Sequence, residues 1–233
     1  MIYRARVIES RALTPSTHGI RIEKAPGFDF LPVQFCGLEI MTDAGSEEYP
    51  MSLACSPTKP YLEFGARVAS GSPWKRAFAA LRPGDEVEVD GAYGHFVLDE
   101  TRDAVFVAGG IGITPLKGMA EYLADTRSQR HATLVYSNKD QGEIIYGEAL
   151  DALARENPRF RVVHTLTQEP EGSGWRGRRG RIDAALLAEA ATGLADPTYY
   201  VCGLPGMVRA AADMLRENKV PRERIVYELF PGY

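Results

Sequence analysis

Cysteine and histidine are sparse in this sequence, and the few that are present are scattered. The three cysteines, Cys36, Cys55 and Cys202, lie far apart and form no C-x-x-C pair. This spacing argues against a disulfide framework, a zinc site and a plant-type iron–sulfur cluster. The four histidines are equally dispersed. No metal centre is therefore expected.

Long apolar runs and a surplus of positive charge are also missing. No stretch approaches the roughly 20 apolar residues of a membrane helix, and the first residues contain no signal-peptide core. Lysine and arginine total 27 against 31 aspartates and glutamates, so the 233 residues carry a formal net charge of -4. Such a chain has no general basic field to hold nucleic acid or an anionic membrane. We expect a cytoplasmic protein that neither enters a membrane nor binds nucleic acid.

Two different patterns meet near residue 100. Before it, short stretches between proline and glycine turns predict a six-stranded antiparallel β-barrel over residues 1–100. The predicted strands are 3–9, 18–24, 38–41, 51–55, 61–69 and 86–90. Beyond it, strands that alternate with helices predict an α/β domain with a parallel sheet over residues 101–233. Its predicted strands are 104–108, 131–136, 160–167 and 199–202, and its predicted helices are 143–156, 183–191 and 208–218.

A glycine-rich turn follows the first strand of the second half, in the stretch 104–119, which reads A-V-F-V-A-G-G-I-G-I-T-P-L-K-G-M. Its glycines are Gly109, Gly110 and Gly112. Thr114 and Pro115 then predict the start of a helix. Strand, glycine turn and helix in that order aim backbone N–H groups and a helix dipole at one point, which suits a phosphate.

Two further motifs lie downstream, C-G-L-P-G-M at 202–207 and E-L-F at 228–230. Together with G-G-I-G-I-T-P at 109–115, they resemble the pyridine-nucleotide half of the ferredoxin-NADP reductase superfamily. The resemblance implies a β-barrel that binds FAD and an α/β domain that binds NADH or NADPH. It also implies hydride transfer from NAD(P)H to flavin.

The resemblance assigns residues to the nicotinamide site. Gly109, Gly110, Gly112, Thr114 and Pro115 are expected to hold the pyrophosphate and nicotinamide, with Cys202, Gly203 and Pro205 beside the nicotinamide ring. Ser137, Asn138 and Lys139 are expected to contact the adenosine ribose. Lys139 suits a 2′-phosphate, yet neither a decisive acidic residue nor an arginine pair is present, so NADH and NADPH both stay open. The tail adds Glu228 near the reacting ring, with Phe230 and Tyr233 against the cofactor.

The flavin signature of the family, Arg-x-Tyr-Ser, is represented by Tyr49, Pro50, Met51 and Ser52. Ser52 matches and is expected near flavin N5, so that Ser52, Cys202 and Glu228 are the candidate catalytic residues. Tyr49 stands in place of the arginine that pairs with the FAD pyrophosphate, which removes a contact of about 1.5–3 kcal/mol. Either Tyr49→Arg restores that contact, or Tyr49 packs against the adenine or the barrel wall.

A short helix after residue 71 offers a second anion site. Ser72 is its expected N-cap, and Lys75 and Arg76 place two positive charges in its first turn, where they are unfavourable to the helix dipole unless an anion binds. The resemblance places the FAD pyrophosphate at this helix start. The alternative is that both charges are simply solvated.

The segment 169–181 is rich in glycine, arginine and glutamate and is expected to be a solvated loop. Its arginines, with one nearby, offer a docking patch as the alternative. They are Arg161, Arg176, Arg178, Arg179 and Arg181.

The sequence therefore predicts an FAD-dependent NAD(P)H oxidoreductase without an iron–sulfur module. Its electron acceptor is then a separate ferredoxin, flavodoxin or oxygenase component, or a small molecule. Two alternatives stay open: a reductase that uses flavin as a diffusible substrate, which the missing arginine favours, and a non-catalytic nucleotide-sensing subunit.

Overall fold

The computed structural model describes residues 1–230 and contains two separate six-stranded sheets. The antiparallel sheet comprises β1 (Ile2–Thr14), β2 (Thr17–Glu23), β3 (Phe35–Thr42), β4 (Gly45–Ser52), β5 (Tyr61–Arg67) and β6 (Glu86–Tyr93). Its strand order is β4-β3-β6-β1-β2-β5. Helix α1 (Pro73–Ala80) buries Trp74 and Phe78 in the core of this barrel half.

The fourth strand lies earlier than the sequence predicted. It runs over Gly45–Ser52 and pairs with β3 in a hairpin, whereas residues 53–55 lie beyond its end. The prediction of a strand at 51–55 was wrong in its bounds because the polar run before Tyr49 looked like a turn. Its side chains alternate between outward and inward positions, so the backbone of Glu48 pairs with that of Glu39 while both carboxylates stay outside.

The parallel sheet comprises β7 (Ala104–Gly109), β8 (Ala132–Asn138), β9 (Phe160–Leu166), β10 (Arg178–Arg179), β11 (Thr198–Gly203) and β12 (Ile225–Leu229). Its order is β10-β9-β8-β7-β11-β12. The helices are α2 (Ile113–Asp125), α3 (Gly147–Glu156), α4 (Ala184–Ala190) and α5 (Pro205–Glu217). Apolar clusters cover both faces of this sheet, and its interior strands β7 and β11 are accordingly largely apolar. The predicted fold class, an antiparallel barrel-type sheet followed by an α/β parallel-sheet half, is confirmed.

Several element boundaries differ from the predictions. Helix α2 begins at Ile113 after a short 3₁₀ segment, so Thr114 is inside it. Ser137 is part of β8 and does not follow it. The predicted helix 143–156 begins only at Gly147, because Tyr146 has a left-handed backbone with φ of 59°.

The two halves share an apolar interface. Val33, Ala54 and Phe96 from the barrel half pack in the same buried cluster as Phe106 and Leu116 from the parallel-sheet half. This contact fixes where the ends of the parallel strands lie relative to the barrel. Within residues 1–230, no helix has the length and apolar character to cross a membrane.

Candidate functional site

A cavity of about 540 Å³ lies at the carboxyl ends of β7 and β8. From β7 the chain first adds strands on one side of the sheet, beginning with β8, and later adds β11 on the other side. The direction in which strands are added therefore reverses at β7. Open α/β sheets bind their ligands in the crevice at such a point. The predicted residues in its wall are Gly109, Gly110, Ser137, Asn138 and Lys139.

The glycine turn serves the cavity in two ways. Gly110 has φ of +52°, and a Cβ built on it meets no atom within 4 Å, so the backbone here faces open space that a ligand can fill. Gly112 packs instead: a Cβ there would lie 2.3 Å from the carbonyl oxygen of Cys202. Only glycine therefore allows the turn to approach the end of β11.

Other predicted nucleotide contacts lie behind the wall. Thr114 is 1% exposed, and its hydroxyl donates to the carbonyl of Ile111 at 3.0 Å, so it supports the turn. Thr114 was not the helix cap that the sequence suggested, because α2 begins before it. Six of the predicted residues are absent from the cavity wall: Gly112, Thr114, Pro115, Cys202, Gly203 and Pro205.

The end of the cavity formed by Asn138, Lys139 and Arg181 is rich in donors. Lys139 and Arg181 are both exposed and line it, and neither side chain makes a hydrogen bond or ion pair with another residue of the range 1–230. Asn138 is 6% exposed, and its Nδ2 lacks an acceptor within the same range. The one carboxylate in the wall, that of Glu143, accepts a hydrogen bond from the hydroxyl of Ser16.

Sequence reasoning missed a contribution from the barrel half. Arg67, at the end of β5, and Thr17 line the same cavity as Gly110. The backbone of Arg67 belongs to the ladder between β2 and β5, but its side chain forms no ion pair or hydrogen bond with any residue from 1 to 230. A cation at the end of a largely buried strand was the available signal, but only the docking of β5 beside the glycine turn places it at the cavity.

Glu228 and Cys202 are opposite each other on β12 and β11. The Oε2 atom of Glu228 is buried and accepts no hydrogen bond from residues 1–230. Burial raises the pKa of Glu228 to about 7, and burial followed by the charge of Glu228 raises the pKa of the Cys202 thiol well above its usual range. Cys202 is therefore a neutral thiol, and Glu228 is a carboxyl group that is protonated in part near neutral pH.

The residue two positions after Glu228, Phe230, is hydrogen-bonded to the end of β11. The backbone N–H of Phe230 donates to the carbonyl of Gly203 at 2.9 Å, and its half-buried ring packs against the interface cluster. The predicted contact of Tyr233 lies outside the described residues.

On the flavin side, the four signature positions do not act alike. Ser52 ends β4 and is half-buried, and Pro50 is exposed. Met51 is 8% exposed in the barrel core, so its side chain does not offer the open ring-stacking surface of the family's tyrosine. The ring of Tyr49 packs on Trp74, with centroids 5.0 Å apart. This is the barrel-wall alternative for Tyr49.

The cations of α1 are divided between two sides. Lys75 is 8% exposed, and its Nζ lies 3.0 Å from the hydroxyl of Ser70. Burial, and then the nearby charge of Arg67, lowers the pKa of Lys75. Arg76 is exposed, donates to the carbonyl of Gly71, and lines an outer groove beside Asp43.

The N-terminus of α1 offers fewer backbone donors than the sequence suggested. Pro73 has no N–H, and the hydroxyl of the N-cap Ser72 accepts the N–H of Lys75 at 3.3 Å. Positive charge at this helix start therefore comes mainly from side chains. Arg67 is close enough for its charge to lower the pKa of Lys75, and two such neighbouring cations suit a phosphate group. The residues present thus fit an FAD pyrophosphate here and a nicotinamide nucleotide in the cavity.

The arginines of 169–181 do not form one patch. Arg161 donates to Thr133 and to the end of α4, Arg178 pairs with Asp183 and Glu189, and Arg179 donates within its own loop. Arg181 lines the cavity. The solvated-loop interpretation of this segment therefore describes it better than a docking patch.

Comparison with known proteins finds relatives along the whole chain. A family model described as the oxidoreductase NAD-binding domain matches residues 106–213. Ferredoxin–NADP reductase B of Sorangium cellulosum (strain So ce56) is 30% identical over 239 residues, covering 98% of this chain and 97% of the relative. The reductase component DmpP of phenol 2-monooxygenase from Pseudomonas sp. (strain CF600) is 28% identical over 232 residues, covering 98% of this chain and 65% of the relative.

Solved structures share the fold. The flavohem-like FAD/NAD-binding domain of nitric oxide dioxygenase from Vibrio cholerae O1 biovar El Tor superposes with a TM-score of 0.87 at 20% identity, over 98% of each chain. A ferredoxin NADP⁺ reductase from Neisseria gonorrhoeae with bound FAD and NADP gives a TM-score of 0.82 at 21% identity, over 100% of this chain and 99% of that one. With the Sorangium relative matching nearly end to end, the chain belongs to the ferredoxin–NADP reductase superfamily of NAD(P)H-dependent flavin oxidoreductases.

Proposed function

We propose that residues 1–100 hold FAD, that residues 101–233 hold NAD(P)H, and that electrons leave the flavin toward a separate acceptor. The observation that carries this proposal is the cavity at the point where the strand order reverses. Residues from both halves line this cavity, and Gly110 leaves open space in it. When bound, NAD(P)H supplies a hydride and FAD accepts its two electrons and proton.

The residues of this chain supply position and charge. The Ser52 hydroxyl, at the free end of β4, is our candidate donor to the flavin ring near N5. Arg67 and Lys75 balance phosphate charge from the barrel side. Glu228 holds a proton at a buried carboxyl oxygen, and Cys202 fills the space behind the nicotinamide as a neutral thiol.

The acceptor is proposed from the relatives. The Sorangium protein is named a ferredoxin–NADP reductase, and the Pseudomonas protein is a reductase component of phenol 2-monooxygenase. We propose a ferredoxin, a flavodoxin, an oxygenase component or a small molecule as the partner of this chain. The cytoplasmic location stays a prediction, which fits three free buried cysteines and is checked by cell fractionation.

The decisive experiment is anaerobic reduction. Addition of NADH or NADPH to the FAD-loaded protein is expected to bleach the flavin absorbance. Ser52→Ala should slow this step while the flavin stays bound, because the hydroxyl acts at the ring and not at the phosphates. Ser46→Ala, at the other end of β4, is the matched control. Bound flavin that neither nucleotide reduces contradicts the proposal.

One observation keeps the flavin reductase alternative open: Tyr49 occupies the arginine position and packs on Trp74. Under that alternative the purified protein is colourless and reduces added flavin with NAD(P)H. A protein that binds nucleotide but reduces neither bound nor added flavin is instead the non-catalytic subunit.

We further propose NADPH as the preferred nucleotide. Lys139 and Arg181 form a cationic end of the cavity, and a cation near the adenosine ribose suits a 2′-phosphate where NAD-dependent enzymes carry an acidic residue. A charge-assisted contact of about 1.5–3 kcal/mol predicts roughly ten- to hundred-fold tighter binding of NADPH than of NADH. Titration of both nucleotides into wild type and Lys139→Ala tests this preference. Equal affinity in the wild type contradicts it.

A further inference from the structure

A buried lysine joins the two halves of the molecule. Lys117 is 3% exposed on α2, one turn after the glycine turn. Its ammonium donates to the carbonyl of Ala54 at 2.8 Å, to Glu63 at 3.0 Å and to Glu121 at 2.7 Å. A lysine has three N–H donors, so this group is fully used.

The three acceptors come from three different segments of the chain. Ala54 lies two residues beyond Ser52, Glu63 is on β5, and Glu121 is on α2 itself. The other carboxylate oxygen of Glu121 accepts the backbone N–H of Ser56 at 3.1 Å. Two polar contacts from α2 therefore hold the backbone of the segment that leaves Ser52.

The backbones of α2 and of the segment 53–56 also pack closely against each other. A Cβ on Gly118 would lie 2.9 Å from the carbonyl oxygen of Cys55, so only glycine permits this approach between α2 and the segment 53–56. The flavin-side residue Ser52 and the nicotinamide-side glycine turn are thus each only a few residues from one shared junction.

Stability alone does not explain this lysine. Burial lowers the pKa of Lys117, but the carboxylates of Glu63 and Glu121 more than offset this, so that the pKa is raised and the group stays charged. A buried ion cluster of this kind is often no more stabilising than apolar side chains of similar volume. What a saturated, charged junction supplies is a fixed geometry.

We propose that Lys117 is a positioning residue for hydride transfer, which sets the distance between the flavin at Ser52 and the nicotinamide at the glycine turn. The inference rests on the proposed function. Reacting atoms must approach to about 3–3.5 Å, and a displacement of about 1 Å caused far from the chemistry costs about a hundred-fold in rate.

The test compares variants that separate positioning from folding. Lys117→Met alone removes the nearer cation from the buried Glu63, which then keeps only Arg21 at 3.6 Å, and is expected to destabilise the fold. The double variant Lys117→Met/Glu63→Gln removes both charges. We expect it to recover thermal stability, to bind FAD and NADP⁺ as the wild type does, and to reduce flavin about ten- to a hundred-fold more slowly.

A matched control lies on the same interface. Lys59 pairs with Asp125 at 2.9 Å, which also joins the barrel half to α2, but at the end of the helix away from the glycine turn. Lys59→Met should leave the rate of flavin reduction unchanged. If Lys117→Met/Glu63→Gln does not fold, Glu121→Gln gives the same comparison, because it weakens the hold on Lys117 and on Ser56.

Two readouts are independent of turnover. In the flavin-free protein, amide hydrogen exchange at 53–56 should be faster in the double variant than in Lys59→Met. In the loaded protein, the long-wavelength absorbance of stacked flavin and nicotinamide rings should weaken. A double variant that recovers stability and also reduces flavin at the wild-type rate overturns the inference. Failure of the wild type to be reduced overturns the proposed function instead.

Discussion

Glu228 shows how one residue couples the candidate site to pH. Its carboxyl is buried opposite Cys202, one of its oxygens has no donor among residues 1–230, and burial raises its pKa to about 7. At a pH between the ordinary glutamate pKa and this raised pKa, Glu228 is protonated in the folded chain and ionised in the unfolded chain. The free energy of unfolding therefore decreases as pH rises across that window.

We predict that this single group lowers the free energy of unfolding by about 3 kcal/mol between pH 4.5 and pH 7, with little further change above it. Glu228→Gln should remove that part of the pH dependence, because glutamine does not ionise. Denaturant unfolding of both proteins across the window gives the comparison, with the exposed Glu223→Gln as the control. Parallel profiles for wild type and Glu228→Gln would show that the buried carboxyl does not titrate as described.

Tyr49 stands at the position where the resemblance places the family's pyrophosphate-binding arginine. Because its ring packs on Trp74, we expect Tyr49→Arg to lose a ring contact of about 0.5–1.5 kcal/mol and to lower the melting temperature. FAD affinity should not improve. Tyr49→Phe retains the ring and is the control. Calorimetric titration with FAD and FMN measures the effect, and tighter FAD binding by Tyr49→Arg would mean that an arginine here reaches the pyrophosphate after all.

At the scale of elements, α1 separates two cations that are adjacent in sequence. The side chain of Lys75 lies inward near Arg67, whereas that of Arg76 lines the outer groove beside Asp43. Helical geometry, with about 100° between successive residues, is the reason for this division. We therefore expect the two side chains not to share one anion.

We predict that Lys75→Met affects binding more than stability. The variant loses the contact with Ser70 but also loses a buried charge close to Arg67, so the stability of the flavin-free protein should change little, while FAD affinity falls about ten-fold or more. Arg76→Met, the matched control, should change neither. Thermal melts and flavin titration of both variants provide the measurements. An equal loss of FAD affinity in both variants would mean that the two cations share the phosphate.

At the scale of the whole molecule, the two halves are expected to unfold together. Their interface carries an apolar cluster and the buried contacts of Lys117, and a large apolar interface opposes independent domain behaviour.

We predict a single cooperative transition, which can be followed separately in each half. In Trp175→Phe the one remaining tryptophan is Trp74, in the barrel core, so fluorescence reports on that half. Of the five α-helices within residues 1–230, four belong to the parallel-sheet half and dominate the far-ultraviolet circular dichroism. The two signals should give the same urea midpoint. Separate midpoints would show that the halves are only loosely joined.

The sequence by itself determined the fold class, the strand–glycine–helix unit at Gly109–Gly112 and the ends of the parallel strands where a nucleotide belongs. These features depend on local causes, namely alternating or continuous apolar residues and the backbone freedom of glycine, which are readable within a short window. The same local signals failed at β4, where an exposed polar strand resembles a turn.

Only the tertiary structure decided which side chains meet. Arg67 reaches the nucleotide cavity, Lys117 meets Glu63 across 54 residues of sequence, and Gly112 packs against Cys202. Lys75 and Arg76, although neighbours in the chain, face different surroundings. Contacts of this kind depend on how the barrel docks on α2 and on how each helix is rotated, and no local pattern of residue types specifies either.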